Sequence, residues 1–332
     1  MLYGRTVLVD EMSMCDIVVF CYLLNAVGPD GHLLLVLDPD QLPSIGPSGF
    51  MQQILRLNPY GIAICELGKV HRRKVAPGKF DLAESIRNGK FPVEEILKDA
   101  TITLDPDISA EHIVNKVREL KDSGVSIGDI MVLCPGRSGV NGADTLTGQL
   151  QKLWNPDGAK IADTNYRVGD IVINVRNDYA DLKKRRRAWD KLRHPDRKDN
   201  IFNGYRGIIA PGANKGTVTV QYTTPSCPVS VPYTAEELRY WVEPAYALTV
   251  HKAQGGEAKH VIFVLPGIKY RAMLYTAATR RKETICLMGS VEHFTKSAEE
   301  KETPPLTKFV QRYLEILDID MGEEPSDIWI KI

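Results

Sequence analysis

Continuous apolar runs closed by an acid alternate with helical spacing at the start of this chain. Thr6-Val-Leu-Val-Asp10 and His32-Leu-Leu-Leu-Val-Leu-Asp38 have the pattern of strands covered on both faces in a parallel sheet. Between them, Asp16 to Val27 is spaced as a helix, so the three pieces make a βαβ unit. Functional side chains are expected where such strands end, and both acids stand there. Helical spacing returns at Gly49 to Leu57 and at Phe80 to Asn88. A strand is predicted at Thr101 to Leu104, an amphipathic helix at Ala110 to Leu120, and a third buried strand at Ile127 to Cys134. The helix predicted from Asp144 to Trp154 is stopped by the turn cluster Asn155-Pro156-Asp157-Gly158.

The texture then changes. Tyr166 to Val175, Gly204 to Ala210, Thr217 to Tyr222 and Val229 to Tyr233 are short β-rich segments punctuated by Gly and Pro, the signature of a small β-barrel. An α/β pattern resumes at Ala245, with strand Val261 to Leu265, helix Ala272 to Thr279 and strand Thr284 to Met288. The barrel is therefore expected as an insertion into a second α/β domain. The predicted boundaries are a first α/β domain over 1–95, a second over 96–165 and 244–300, the barrel over 166–243, and a tail over 301–332.

Charge refines this outline. Lys and Arg number 42 against 42 Asp and Glu, so any polyanion must be met by a locally basic surface. Residues 181–199 gather nine Lys/Arg against four Asp, with Trp189 among them. That segment is either a solvated loop or a path for a nucleic-acid strand. The tail carries six acids and no basic residue from Glu315 to Asp327, and reads as a solubilising end. Six scattered cysteines without a Cys-x-x-Cys pair argue against a disulfide framework or a zinc site, and for a cytoplasmic location. No apolar stretch is long enough for a membrane span, and no signal peptide is expected at Met1-Leu2-Tyr3-Gly4-Arg5.

Asp10 and Glu11 are adjacent acids at the end of an apolar strand, as in a Walker B element. Nucleotide hydrolysis needs one carboxylate to hold Mg²⁺ through its water shell, here Asp10, and another to orient or deprotonate the attacking water. Leu37-Asp38-Pro39-Asp40-Gln41-Leu42-Pro43-Ser44-Ile45-Gly46-Pro47 resembles the superfamily-1 helicase element Gly-Asp-x-Asp-Gln-Leu-Pro-Ser-Val-Gly-Pro, with Leu37 in place of the first Gly. Leu67-Gly-Lys-Val-His-Arg72-Arg73 resembles Leu-Thr-Glu-Val-Phe-Arg-Gln, with His71 in place of the aromatic. Tyr246-Ala-Leu-Thr249-Val-His251-Lys252-Ala-Gln254-Gly255-Gly256-Glu257 resembles helicase motif V, and Leu274-Tyr-Thr-Ala-Ala-Thr-Arg280-Arg281 resembles motif VI. Cys134-Pro135-Gly136-Arg137 followed by Gly142-Ala143-Asp144 is similar to the family's Ser-Pro-Met-Arg-Arg-Gly…Gly-Val-Asp segment. Val168-Gly169-Asp170, Arg176-Asn177-Asp178-Tyr179 and Phe202-Asn203-Gly204-Tyr205-Arg206-Gly207 resemble the start of an inserted SH3-like barrel, with 181–199 as an extra stretch.

Together these segments, in the family's order over about residues 6–290, resemble the RecD branch of superfamily-1 DNA helicases, the exodeoxyribonuclease V alpha-subunit family. The resemblance implies an α/β fold: a partial first RecA-like P-loop NTPase domain, and a second RecA-like domain carrying an inserted SH3-like β-barrel. It implies ATP and Mg²⁺ as cofactors, and single-stranded DNA and DNA junctions as partners, with 5′-to-3′ movement. The catalytic set it implies is Asp10, Glu11, Gln41 as γ-phosphate sensor, and Arg72 and Arg280 as γ-phosphate arginines. Gln254, Gly255 and Glu257 would face the nucleotide, and Pro43, Arg137, Thr249, His251 and Lys252 would face DNA.

One element of this family is not found. Gly-Lys occurs at 68–69, 78–79 and 89–90, each time without the Gly-x-x-x-x-Gly-Lys-[Ser/Thr] frame that cradles phosphates. The expectation is a truncated chain, a split helicase whose other chain supplies the loop, or a degenerate protein that only binds DNA. The retained acids and arginines favour the first two. The competing class is a catalytically inactive DNA-binding or regulatory module. A DNA-packaging or RNA-directed NTPase fits the Gln-Leu-Pro-Ser and His-Lys-Ala-Gln-Gly segments poorly.

Overall fold

The computed structural model describes residues 5–27, 29–44, 50–57, 62–67, 81–176, 201–212, 216–223 and 228–301. The basic stretch 181–199, His71, Arg72 and the acidic tail lie outside the described residues. Two compact units result. Unit 1 comprises Met1–Phe91, Lys269–Thr276 and Thr295–Ile332; unit 2 comprises Pro92–Ile268 and Ala277–Phe294.

In unit 1, β1 (Thr6–Val9) and β2 (His32–Leu35) pair in parallel from Thr6 opposite His32 to Val9 opposite Leu35, joined through α1 (Ile17–Val27). With α2 (Phe50–Leu57) they enclose a small core of Met12 and Met51, against which Val9, Ile17, Phe20, Leu35, Leu37 and Ile54 pack. Leu37, where the resemblance has Gly, is thus an apolar packing residue. The expectation that both strands are covered on two faces is corrected here. Leu8 is 60% and Leu34 52% exposed, and Val18, Val19, Tyr22 and Leu24 of α1 are exposed too. The strand period of two sends Val9 and Leu35 inward and their neighbours outward. An uninterrupted apolar run makes a strand fit for burial on both faces, but does not itself provide the second covering layer.

Helix α3 (Leu82–Arg87) completes the regular elements of the N-terminal part of unit 1. Asp81 caps it by accepting from Ala83 N at 2.9 Å, and Leu82, Ala83 and Ile86 are buried. Gly89 follows with φ +74°, a left-handed backbone conformation that favours glycine.

Unit 2 is built on a parallel sheet. After α4 (Val93–Lys98) come β3 (Ile102–Asp105), α5 (Ala110–Asp122), β4 (Ile130–Cys134) and α6 (Ala143–Trp154). All five residues of β4 are buried, as its unbroken apolar run predicts. Next comes a run of antiparallel strands: β5 (Ile171–Asn174), β6 (Arg206–Pro211), β7 (Thr217–Tyr222), β8 (Val229–Thr234) and β9 (Val242–Pro244), in the order β8-β7-β6-β5-β9. Val172, Ile209, Val220, Tyr222, Val231, Tyr233, Leu238 and Val242 form its core. Between β8 and β9 lies α7 (Ala235–Trp241), not predicted from the sequence. Thr234 and Glu237 form a full capping box at its start, a Thr-x-x-Glu signal readable in the chain.

The parallel sheet then resumes with β10 (Ala247–Thr249), β11 (Ala258–Val264) and β12 (Arg281–Met288), in the order β10-β4-β11-β12-β3. Two more helices, α8 (Arg271–Thr279) and α9 (Val291–Glu299), flank β12 in sequence. The result is a mixed α/β protein with a parallel sheet. No helix among the described residues is long and apolar enough to cross a membrane.

Candidate functional site

Unit 1 gathers its acids where β1 and β2 end. Asp10 follows β1 and is exposed; its Oδ1 accepts from Glu11 N at 2.8 Å. Glu11 holds a left-handed conformation (φ 53°) that non-glycine residues seldom adopt, and turns the chain into a short 3₁₀ segment at Met12–Met14. Met12 N then bonds Val36 O at 2.9 Å, which brings the residues after the two strands side by side.

The turn after β2 is fastened by long-range polar contacts. Asp38 receives Tyr275 OH at 2.9 Å and Gln41 Nε2 at 3.3 Å, both on Oδ2. Arg87 donates to Tyr275 OH at 3.0 Å, pairs with Asp40 at 2.7 Å and lies over the Tyr275 ring, 5.5 Å from its centroid. Leu42 N donates to Thr276 Oγ1 at 2.9 Å, and Gln41, Leu42 and Pro43 are buried. Burial pushes the Asp40 carboxyl up despite the Arg87 guanidinium beside it. Burial and the Asp38 carboxylate likewise push the Tyr275 phenol up, so it stays a protonated donor to Asp38. Arg87 was not singled out in the sequence, where it is an ordinary helix-end cation.

Unit 2 brings the motif V residues to the end of β10. That strand runs parallel to β4, with Thr249 opposite Cys134. Thr249 is nearly buried, and its Oγ1 accepts from Lys252 N at 3.3 Å. His251 is half-buried, and burial lowers its pKa, so the imidazole is neutral at pH 7. Gly255 takes φ +74° in the turn that follows. Arg280 is 2% exposed; its Nη1 donates to Gly256 O at 3.1 Å and its Nη2 to Thr279 Oγ1 at 3.0 Å. Arg280 and the Gln254–Glu257 turn are thus brought together. Glu257 is exposed and pairs with Lys282 at 2.5 Å. Arg137, after β4, is exposed and pairs with Asp144 at 3.3 Å and Glu243 at 3.5 Å.

A buried carboxylate anchors this region. Asp170, fully buried, accepts from Gln151 Nε2 at 2.6 Å, Asn155 Nδ2 at 2.7 Å, Arg167 N at 2.8 Å and Tyr246 OH at 2.9 Å. It thereby joins α6, the start of the antiparallel sheet and the residue that opens motif V. Asp170→Ala would strand the buried Tyr246 hydroxyl and three half-buried donors and is expected to cost about 3 kcal/mol in stability. Urea denaturation of wild type and variant checks this, and an unchanged midpoint would contradict it. Nearby, Arg206 donates to Ile130 O at 3.0 Å, and burial lowers its pKa to about 10.

The donor sets can be tested against the cofactors that the sequence pattern implies. Magnesium prefers a few carboxylates plus water over a full protein cage. Asp10 fits: it is exposed, and only Oδ1 has a protein partner among the described residues. No cluster of three or more His, Cys, Asp or Glu that could hold a metal occurs among the described residues. For a nucleotide the fit is partial. Acids, a buried Gln and a buried Arg are present, but the chain has no phosphate-loop sequence.

Fold and side chains define a mixed α/β protein with a parallel sheet. Residues 244–288 match the UvrD-like helicase C-terminal domain, and residues 3–103 match an AAA domain. The chain is 30% identical over 312 residues to the ATP-dependent RecD2 DNA helicase of Deinococcus radiodurans, covering 92% of this chain and 39% of that protein. It is 25% identical over 333 residues to the RecBCD enzyme subunit RecD of Mycolicibacterium smegmatis, covering 92% and 53% respectively. In structure it resembles Bacteroides Pif1 helicase in complex with ADP-AlF3 and single-stranded DNA, with TM-score 0.51, 17% identity and 93% of this chain covered against 75% of that one. The chain is a relative of the RecD-like superfamily-1 helicases, and spans 39% and 53% of the two curated relatives just described.

Proposed function

We propose that the chain carries the Walker B part of one ATPase domain and a second RecA-like domain of an ATP-dependent helicase that moves 5′ to 3′ on single-stranded DNA. The observation that carries this reading is the tie between the Gln41 turn and α8. Tyr275 and Thr276 of α8 bond Asp38 and Leu42, and the same helix leads directly into Arg280. Within unit 1, the turn that carries Gln41 is thereby held to Tyr275 and Thr276, two residues of the segment that resembles motif VI.

In this reading Asp10 would hold Mg²⁺, Glu11 would orient or accept a proton from the attacking water, and Gln41 would face the γ-phosphate. Bound ATP–Mg²⁺ supplies the phosphoryl group whose transfer powers movement. Arg280 and Arg72 stabilise the charge that develops on it, and Gln254, Gly255 and Glu257 line the nucleotide side. Thr249, His251, Lys252, Arg137 and Pro43 meet the DNA backbone, where hydroxyl, imidazole and cationic groups position a strand without reading its sequence. The antiparallel sheet is read as the inserted SH3-like barrel. The phosphate-cradling loop is assigned to other sequence, in the same or a separate polypeptide.

The test is directional unwinding by an enzyme reconstituted with such a loop segment. Duplexes with a 5′ single-stranded tail should be opened, and those with a 3′ tail left intact. Unwinding of 3′-tailed duplexes alone would place the protein in the opposite branch of helicases.

A further inference from the structure

Two cations from different elements converge on one carboxylate oxygen. Lys252 Nζ, after β10, pairs with Glu243 Oε2 of β9, and Arg137 Nη2, after β4, lies 3.5 Å from the same oxygen. Arg137 also holds Asp144 through Nε at 3.3 Å. The two positive charges are therefore matched by two negative ones, and the neighbouring His251 adds none near neutral pH because burial lowers its pKa. The cluster is open to solvent: the side chains of Lys252, Glu243 and Arg137 are 31%, 35% and 54% exposed. An anionic oxygen shared by an ammonium and a guanidinium is the contact a phosphodiester oxygen makes with such a pair.

We propose that Glu243 is an internal stand-in for a DNA phosphate: in the free protein it occupies Lys252 and Arg137, and single-stranded DNA must displace it to bind. This rests on the reading that Thr249–Lys252 and Arg137 face DNA, and adds a residue that sets the strength of that contact. Exchange of carboxylate for phosphate keeps the resting cluster neutral and weakens the grip on each phosphate. A motor that must release and rebind the strand at every step gains from a grip held low in this way. Loss of the carboxylate leaves two unmatched cations for the incoming phosphate, so affinity rises and becomes more sensitive to salt.

The experiment is binding of a fluorescein-labelled oligothymidylate to the 332-residue chain across a salt series. Glu243→Gln, close in shape and lacking the charge, should bind about fivefold more tightly at low salt, the upper range for an exposed ion pair. Its plot of log affinity against log salt should steepen by up to about 0.7 for the phosphate now fully neutralised. Glu111→Gln, on the exposed surface of α5, controls for overall charge and should change neither quantity. In a Lys252→Gln background the gain from Glu243→Gln should largely vanish. Binding by wild type with no change in Glu243→Gln, or an equal gain in Glu111→Gln, would overturn the proposal and make Glu243 a structural ion-pair partner. Absence of DNA binding by all variants at low salt would overturn the DNA reading beneath it, and the proposal with it. A lower melting temperature in Glu243→Gln without tighter binding would likewise assign the carboxylate to stability.

Discussion

Arg280→Lys is expected to lower ATP turnover about a thousandfold in an enzyme complete with a phosphate loop, the lower end of what an arginine at the γ-phosphate contributes. Lysine keeps the charge but loses the planar fork. Arg280 already spends one amino group on Gly256 O and another on Thr279 Oγ1. The planar guanidinium makes both contacts at once; an ammonium at the end of a flexible stem cannot reproduce them in that fixed geometry. Nucleotide binding should weaken far less than turnover, because the contact strengthens as charge develops on the transferred group. Arg280→Ala should show the same kinetic loss and a lower melting temperature, since it empties a buried position against the Gln254–Glu257 turn. The pair separates catalysis from folding: turnover within a fewfold of wild type in Arg280→Lys would remove the residue from the phosphate site.

How far the sequence reveals this arrangement depends on sequence separation. Local signals were readable where the pattern was unambiguous. Of the strand predicted at Ile127 to Cys134, Ile130–Cys134 forms a strand buried along its length while Ile127–Asp129 makes a 3₁₀ turn, and Thr217 to Tyr222 matches β7 end to end. Helix α7 was missed because short β-rich neighbours outweighed its capping box, and β10 because three strand residues inside motif V show no period of their own. The apolar runs at Leu8 and Leu34 have the pattern of doubly covered strands, although Leu8 and Leu34 themselves are exposed. Candidate site residues such as Gln41 and Arg280 could be named from their segments, but not the groups that hold them. Arg87 meets Tyr275 across 188 positions, and Tyr275 meets Asp38 across 237. Glu243 is likewise only an acid before an apolar segment until the fold brings Arg137 and Lys252 to it. Such partners are set by tertiary packing, which hydropathy patterns do not encode.

The second large effect concerns what the 332 residues do alone. They contain no Gly-x-x-x-x-Gly-Lys-[Ser/Thr] sequence, so no loop of backbone N–H groups and lysine is available to cradle the α- and β-phosphates. The isolated chain is expected to show no DNA-stimulated ATP hydrolysis and no unwinding, while weak DNA binding through Thr249, His251 and Lys252 persists. The exposed apolar side chains of β1, β2 and α1, among them Leu8, Leu34, Val19 and Tyr22, are a surface that water disfavours. They should make the chain poorly soluble until a partner segment covers them. Adding the N-terminal part of a RecD-like helicase, fused ahead of Met1 or as a separate chain, should restore solubility and DNA-dependent hydrolysis together, because one layer both covers these side chains and supplies the loop. Changing the lysine of the supplied loop to Ala should abolish hydrolysis and leave solubility restored, which separates the packing role of the added layer from its chemistry. Robust ATP hydrolysis by the purified 332-residue chain would sink this idea, and would mean that the phosphates are held by groups other than a phosphate loop.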